Sequence, residues 1–251
     1  MKNILLKIIL TFLALFFMGP FYAFAQDSEI KLAESFYQSK NYSLALKTYF
    51  QDASITGPNA ALFYNIGNSF YKNQDIGKAI CYYQKAKKLA PRDRDIKANL
   101  KKAQAKVLDN SISTETSFTK GLFSFIYLFS FNEVLVLFLI IFSLCNTGIF
   151  LAIYYKKQEL LKHSIIPVAI ILGLSFILLY AKVQTEFYSK TGVIISKKVA
   201  VKAGPSNTLE TLFYVHEGVE FTIEKVVGDW LEIKLNNSFI GWAHKKDLFE
   251  I

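Results

Sequence analysis

Val134-Leu-Val-Leu-Phe-Leu-Ile-Ile-Phe-Ser-Leu-Cys-Asn-Thr-Gly-Ile-Phe-Leu-Ala-Ile-Tyr154 runs for 21 residues without a charge, and Ser164-Ile-Ile-Pro-Val-Ala-Ile-Ile-Leu-Gly-Leu-Ser-Phe-Ile-Leu-Leu-Tyr-Ala181 does so for 18. A helix needs about 20 apolar residues to cross the hydrocarbon of a bilayer, so both runs read as membrane spans. The first holds fourteen Leu, Ile, Val or Phe, a gain of about 4 to 8 kcal/mol on insertion that outweighs the polar Asn146. The second holds eleven and carries Pro167 and Gly173, which membrane helices tolerate better than soluble ones. Spans at 134–154 and 164–182 are therefore expected, joined by a cytoplasmic loop at 155–163.

Working outward, residues 1–25 place Lys2 and Lys7 before a short apolar run, the helix breaker Pro20 and Ala23-Phe24-Ala25. This is the pattern of a secretory signal peptide cut between Ala25 and Gln26, with an uncleaved anchor as the alternative. Either way residue 26 onward is exported. The loop 155–163 carries Lys156, Lys157 and Lys162 against Glu159, as short cytoplasmic loops do. Two crossings then leave both halves of the chain on the periplasmic face of the inner membrane.

The chain has 251 residues, 52% apolar, and a net charge of +9. By segment the charge is +2 over 1–25, +5 over 26–117, +3 over 118–185 and −1 over 186–251. A nucleic-acid surface does not fit an exported protein; a mildly basic helical half is a solvated face, or one complementary to an acidic partner or anionic headgroups. Cys81 and Cys145 fall in the helical half and the first span, too far apart to pair, and both read as small buried side chains.

Residues 60–91 place Phe63, Ile66, Gly67 and Phe70 before Ala79, Tyr83, Ala86 and Pro91. This resembles the tetratricopeptide repeat of about 34 residues, W-x2-L-G-x2-Y followed by Ala, an aromatic, Ala and Pro. The residue types suit the packing: small residues where helices cross closely, aromatics between layers, and a proline that stops the second helix. One repeat upstream, Ala33, Phe36, Ala45 and Tyr49 hold the equivalent places in a degenerate copy, while Ile96, Leu100, Ala103 and Val107 recur downstream as a capping helix. A helical solenoid over 26–110 is expected, with five helices, fewer than three full repeats, so that its stability leans on a partner or a second copy. The resemblance implies a groove that receives a peptide or helix, lined here by Tyr64, Asn68, Tyr71 and Lys72 with Asn65 at its edge. An ordinary solvated face is the other reading of these five.

Residues 111–133 form a linker and an aromatic-rich interfacial segment, Ser and Thr dominating 111–117 and Phe, Leu and Tyr dominating 118–131. From residue 186 the period changes to two. Val219, Phe221 and Ile223 alternate with charged and hydroxyl residues, as do Leu231, Ile233 and Leu235. A small antiparallel barrel over 186–251 is expected, with Gly218 and Gly228 supplying positive φ in its turns. The string Gly204-Pro205-Ser206, Glu217-Gly218, Gly228-Asp229-Trp230 and Gly241-Trp242 resembles the bacterial SH3-like domain. Trp230 lies in phase with Glu232 and Lys234, either as a platform for a ligand or as a rim aromatic. Trp242 is expected inside.

No H-E-x-x-H, G-x-S-x-G, Walker loop or cysteine pair at metal spacing occurs. His216 and His244 fall in the barrel without a third metal ligand. The expectation is a protein that is not an enzyme and needs no cofactor or metal. The order of signal peptide, tetratricopeptide pair, two spans and SH3-like barrel resembles the BatE family of the Bacteroides aerotolerance operon. That resemblance implies companion membrane proteins with von Willebrand factor A-type domains, a MoxR-type ATPase, and a role in tolerance of oxidative or envelope stress. The expected function is a membrane-anchored scaffold for protein–protein interaction. The alternative is a sensor that binds peptidoglycan through its barrel.

Overall fold

The structure, a computed structural model, describes residues 27–57, 59–109, 127–156, 158–188, 190–235 and 239–251. The cleavage point at Ala25 and Gln26, the linker 111–117, residues 118–126 of the interfacial segment and residues 236–238 lie outside them. Two compact units part between residues 58 and 59.

The first unit holds helices α1 (Asp27–Gln38) and α2 (Tyr42–Thr56). Lys40 closes the turn between them with φ of 62°, and Asn41 caps α2 by accepting from the Leu44 amide at 3.3 Å. Ala33, Ala45 and Tyr49, three of the four positions of the degenerate pattern, are buried, and Phe36 is half buried. The Tyr49 hydroxyl donates to Glu34 Oε2 at 3.1 Å; burial, then the neighbouring Glu34 charge, pushes its pKa above the ordinary range.

The second unit begins with α3 (Ala60–Lys72), α4 (Ile76–Leu89) and α5 (Arg94–Gln104), each opened by an Asn or Asp cap at Asn59, Asp75 and Asp93. Ile66, Ala79, Tyr83 and Ala86 are buried, as are Ile96, Leu100 and Ala103 on α5. Gly67 is required by packing: a Cβ there would stand 2.7 Å from the Tyr83 ring. Pro91 is buried just past the end of α4.

Among the described residues, two helices, α6 (Phe131–Tyr154) and α7 (Gln158–Val183), are long and apolar enough to cross a membrane. They lie side by side, with Phe138 and Phe176 at 6.5 Å between ring centroids and Phe131 and Phe187 at 5.2 Å. Their apolar side chains point outward, Leu144 being 67% and Ile166 68% exposed, which suits lipid and not water. Asn146 donates to the Phe142 carbonyl at 2.7 Å and so meets its need within its own helix. Two boundaries differ from expectation. A capping box, with Ser130 and Glu133 each bonding the other's backbone, starts α6 three residues early. At the other end α7 starts at Gln158 and absorbs most of the loop expected at 155–163.

After a π-helical turn, Gln184–Tyr188, come seven strands: β1 (Thr191–Ile194), β2 (Lys198–Lys202), β3 (Thr211–His216), β4 (Glu220–Val227), β5 (Trp230–Leu235), β6 (Ile240–His244) and β7 (Leu248–Glu250). They form one antiparallel sheet in the order β3-β2-β6-β5-β4-β1-β7. Leu231, Ile233 and Leu235 face its core with Val219 and Phe221. Gly218 and Gly228 take positive φ of 90° and 55°, as their turns demand. The alternation on β4 ends at a register shift between Ile223 and Lys225; beyond that bulge Val226 and Val227 are half exposed.

The sheet packs on α4, so the helices and strands of this unit are not independent modules. A Cβ on Gly77 would stand 2.5 Å from the Ile194 carbonyl oxygen, and one on Gly218 2.5 Å from Val107 and 3.1 Å from Ile80. Gln84 and Gln104 donate to the two oxygens of Glu220 at 2.9 and 2.6 Å. Tyr82 meets Phe249 at 5.7 Å, and Lys88 Nζ donates to the Ile251 carbonyl at 3.2 Å. Beyond α5, Asp109 accepts from the His216 amide and lies 3.0 Å from its Nδ1. The partner that a short helix array needs is therefore present in the same unit.

Gly77→Ala should force the sheet off α4 and cost about 1–3 kcal/mol, while Gly148→Ala, which meets nothing within 4 Å, should stay within about 0.5 kcal/mol. Thermal unfolding of the detergent-solubilised chain measures both. Buried Cys81 provides a second readout, with Cys145 replaced by Ala: its maleimide labelling at pH 8 should be slow in the parent and faster in Gly77→Ala.

Candidate functional site

The five residues singled out for a groove all lie on α3, whose start is set by Asn59 accepting from the Ala61 and Leu62 amides at 2.9 and 3.4 Å. Tyr64, Asn68 and Tyr71 follow at four- and three-residue spacing and share one face. That face meets α5. Asn99 Nδ2 donates to the Tyr64 hydroxyl at 2.9 Å and to Asn68 Oδ1 at 3.0 Å, and the Tyr83 hydroxyl donates to the same Asn68 oxygen at 2.8 Å. Lys106 Nζ lies 4.3 Å from the centroid of the Tyr71 ring, within cation–π range. Asn65 is half buried at the side, its carbonyl accepting from Ser69 Oγ at 2.9 Å, and Lys72 is exposed at the end of the helix.

Asn68 is thus the hub of a polar network, joined by Tyr64, that ties three helices together, while Tyr71 is half buried beside Lys106 and Lys72 is exposed. Asn99 and Lys106 belong to the same face and were not singled out from the sequence. Their signal was nevertheless there. Asn99 lies three residues after Ile96 and one before Leu100, a polar side chain at the edge of a buried stripe, where a hydrogen-bond partner is demanded.

The seam between α4 and the sheet carries shifted ionisable groups. Burial pushes the Tyr82 hydroxyl up to about 12 and the Cys81 thiol upward as well, which leaves that thiol protonated and unreactive near neutrality. Burial pulls Lys85 down, its ammonium lying 4.5 Å from the Phe249 ring centroid.

On the sheet, Trp230 is half buried, edge-on to His244 at 5.4 Å between centroids. It lies on the polar face with Glu232 and Lys234, as its phase required. Trp242 is buried. His216 is engaged by Asp109 and His244 by Trp230, and among the described residues no group of three His, Cys, Asp or Glu is placed to hold a metal ion.

Asn68→Ala removes the oxygen that accepts from both Asn99 and the Tyr83 hydroxyl, so it should cost about 1–3 kcal/mol. Tyr83→Phe combined with Asn68→Ala should cost less than the sum of the two single losses, since both remove the same bond; thermal melts of the three variants check this. No family model matches the chain, and no curated protein matches it.

Proposed function

We propose that the chain is a non-enzymatic scaffold held in a bacterial inner membrane by the α6–α7 hairpin, with its helices and sheet on the periplasmic side. The face shared by α3 and α5 receives a segment of another exported protein. One observation carries this reading. Helices α4 and α5 precede the hairpin in the chain and the sheet follows it, yet Gln84 and Gln104 both bond Glu220. Groups in direct contact lie on one side of any bilayer the hairpin crosses, which requires an even number of crossings between them.

The aromatic residues support the depth. Tyr127, Phe187 and Tyr188 are exposed at one end of the hairpin, Tyr154 and Tyr155 at the other, the two levels at which aromatics gather in membrane proteins. Lys156 and Lys162 lie at the second end, which supports its assignment to the cytoplasm. The helix pairs agree in residue types with tetratricopeptide units, and the sheet with an SH3-like domain. The resemblance to the BatE family extends the reading to partners among membrane proteins with von Willebrand factor A-type domains and to a part in envelope or oxidative stress tolerance.

Single cysteines at Asn73, Lys156 and Lys246, in a chain with Cys145 replaced, test the topology in intact cells. An impermeant maleimide should label the first and third and spare the second; the reverse pattern overturns the orientation. A photo-crosslinking residue at Tyr71 or Lys72 should trap a partner protein in cells, and recovery of uncrosslinked monomer alone from both positions would count against the scaffold.

A further inference from the structure

We infer that the outer face of α5 is a docking ridge for an acidic segment of a partner protein. The inference rests on the scaffold reading and names the chemistry of its partner. Between Ile96 and Leu108 the sequence contains Lys97, Lys101, Lys102 and Lys106 and no acidic residue. All four lysines are exposed, and among the described residues none of them forms an ion pair. Two carboxylates that flank the stretch are otherwise engaged: Asp93 caps α5 through the Asp95 and Ile96 amides, and Asp109 holds His216. Elsewhere in this unit exposed lysines do find carboxylates, Lys225 meeting Glu232 at 3.0 Å and Lys78 meeting Asp75 at 2.8 Å. Four like charges, three on α5 and Lys106 just past its end, repel each other, and that repulsion is relieved by an anionic partner.

Anionic lipid headgroups are the rival occupant, and the direction of α5 disfavours them. Helices α4 and α5 run antiparallel, since Ile80 and Val107 meet at Gly218. Their connection lies at the membrane end: Arg92 pairs with Glu133 in the first turn of α6, and Lys88 bonds Ile251, whose amide bonds Thr191 just beyond α7. The far end lies at Gly77, beside Ile194 at the other end of β1. From Arg94 to Gln104 the helix runs about 15 Å from the connection toward that far end. At physiological salt, charges are screened beyond about 8 Å. Lys101, Lys102 and Lys106 stand outside the reach of headgroups and within reach of an upright protein segment. Lys106 also covers Tyr71, which joins the ridge to the α3 face.

The test uses the full chain in nanodiscs of zwitterionic lipid and a fluorescein-labelled Glu-Ala repeat peptide, with a Gln-Ala peptide as the neutral probe. Fluorescence anisotropy should report binding of the acidic peptide that weakens with added salt. Lys97→Gln, Lys101→Gln, Lys102→Gln and Lys106→Gln together should lower the affinity by about tenfold or more, as the loss of four exposed pairs predicts. The same charge change at Lys190, Lys234, Lys245 and Lys246 should alter it by less than about twofold. Equal losses in the two variants, binding of the neutral peptide, or no binding at all would overturn the inference. So would retained peptide binding together with loss of anionic phospholipid co-purifying with the α5 variant, which would assign the ridge to lipid. Trapping of a partner through Tyr71 in cells alongside failure here would leave the scaffold standing and remove only its acidic partner.

Discussion

Everything in the second unit turns on α4 being covered on two sides. One side meets α3 and α5 through Ala79, Tyr83 and Ala86, with the Tyr83 ring against Gly67. Another meets the sheet through Gly77, Tyr82 and Gln84. Ile76, Ile80 and Cys81 are buried as well, so the helix has little solvated surface left, which is how a buried helix and not a surface one is built. A two-glycine requirement accompanies this closeness. Gly77 lets the backbone of α4 touch the backbone of Ile194, and Gly218 brings the β3–β4 turn onto Val107. Close backbone approach of this kind leaves no room for adjustment, because the atom opposite Gly77 is a carbonyl oxygen and not the end of a flexible side chain.

That contact makes the hairpin a constrained element. The chain leaves α5, passes into α6, turns at Tyr155 and Lys156, and returns through α7 to β1. Both ends of the hairpin are then fixed to one body: Arg92 to Glu133 at the start of α6, and Thr191 through Ile251 to Lys88 after α7. Lys182 and Glu186, 3.3 Å apart and nearly buried, join α7 to the π-helical turn that precedes the sheet. Helices α3 and α5 therefore hold a set position relative to the two apolar helices.

Much of this was legible in the residues, and what was not has a common cause. Periodicity located the two apolar helices, the helix pairs and the strands, because each follows from local spacing alone. Ala33, Ala45, Tyr49, Gly67 and Tyr83 were read at buried positions for the same reason. The docking of the sheet on α4 was not read, since Gly77, Gln84 and Glu220 look unremarkable until residues more than a hundred positions apart are brought together. The capping box at Ser130 and Glu133 was readable and passed over; a charged residue next to an apolar run is easily taken as the boundary when it is in fact the first turn. The β4 bulge left no mark beyond two adjacent valines, Val226 and Val227, that break the alternation.

The candidate face shows why local reading finds positions more readily than roles. Asn68 and Tyr71 are both polar-capable side chains on one side of α3, and spacing cannot tell them apart. In the folded unit the Asn68 oxygen already accepts from Asn99 and Tyr83, so a ligand competing for it would have to break bonds between helices. Tyr71 presents an aromatic face to Lys106, an interaction worth only about 0.5–1 kcal/mol when exposed to solvent, and therefore one a partner can displace. The weakly held groups on this surface are Tyr71 and the lysines, and the asparagines are the ones that hold the helices together. Exposed lysines confer little affinity singly but fix the sign of what approaches. An inner asparagine network thus sets the geometry of this small helix array, and a basic rim borders it.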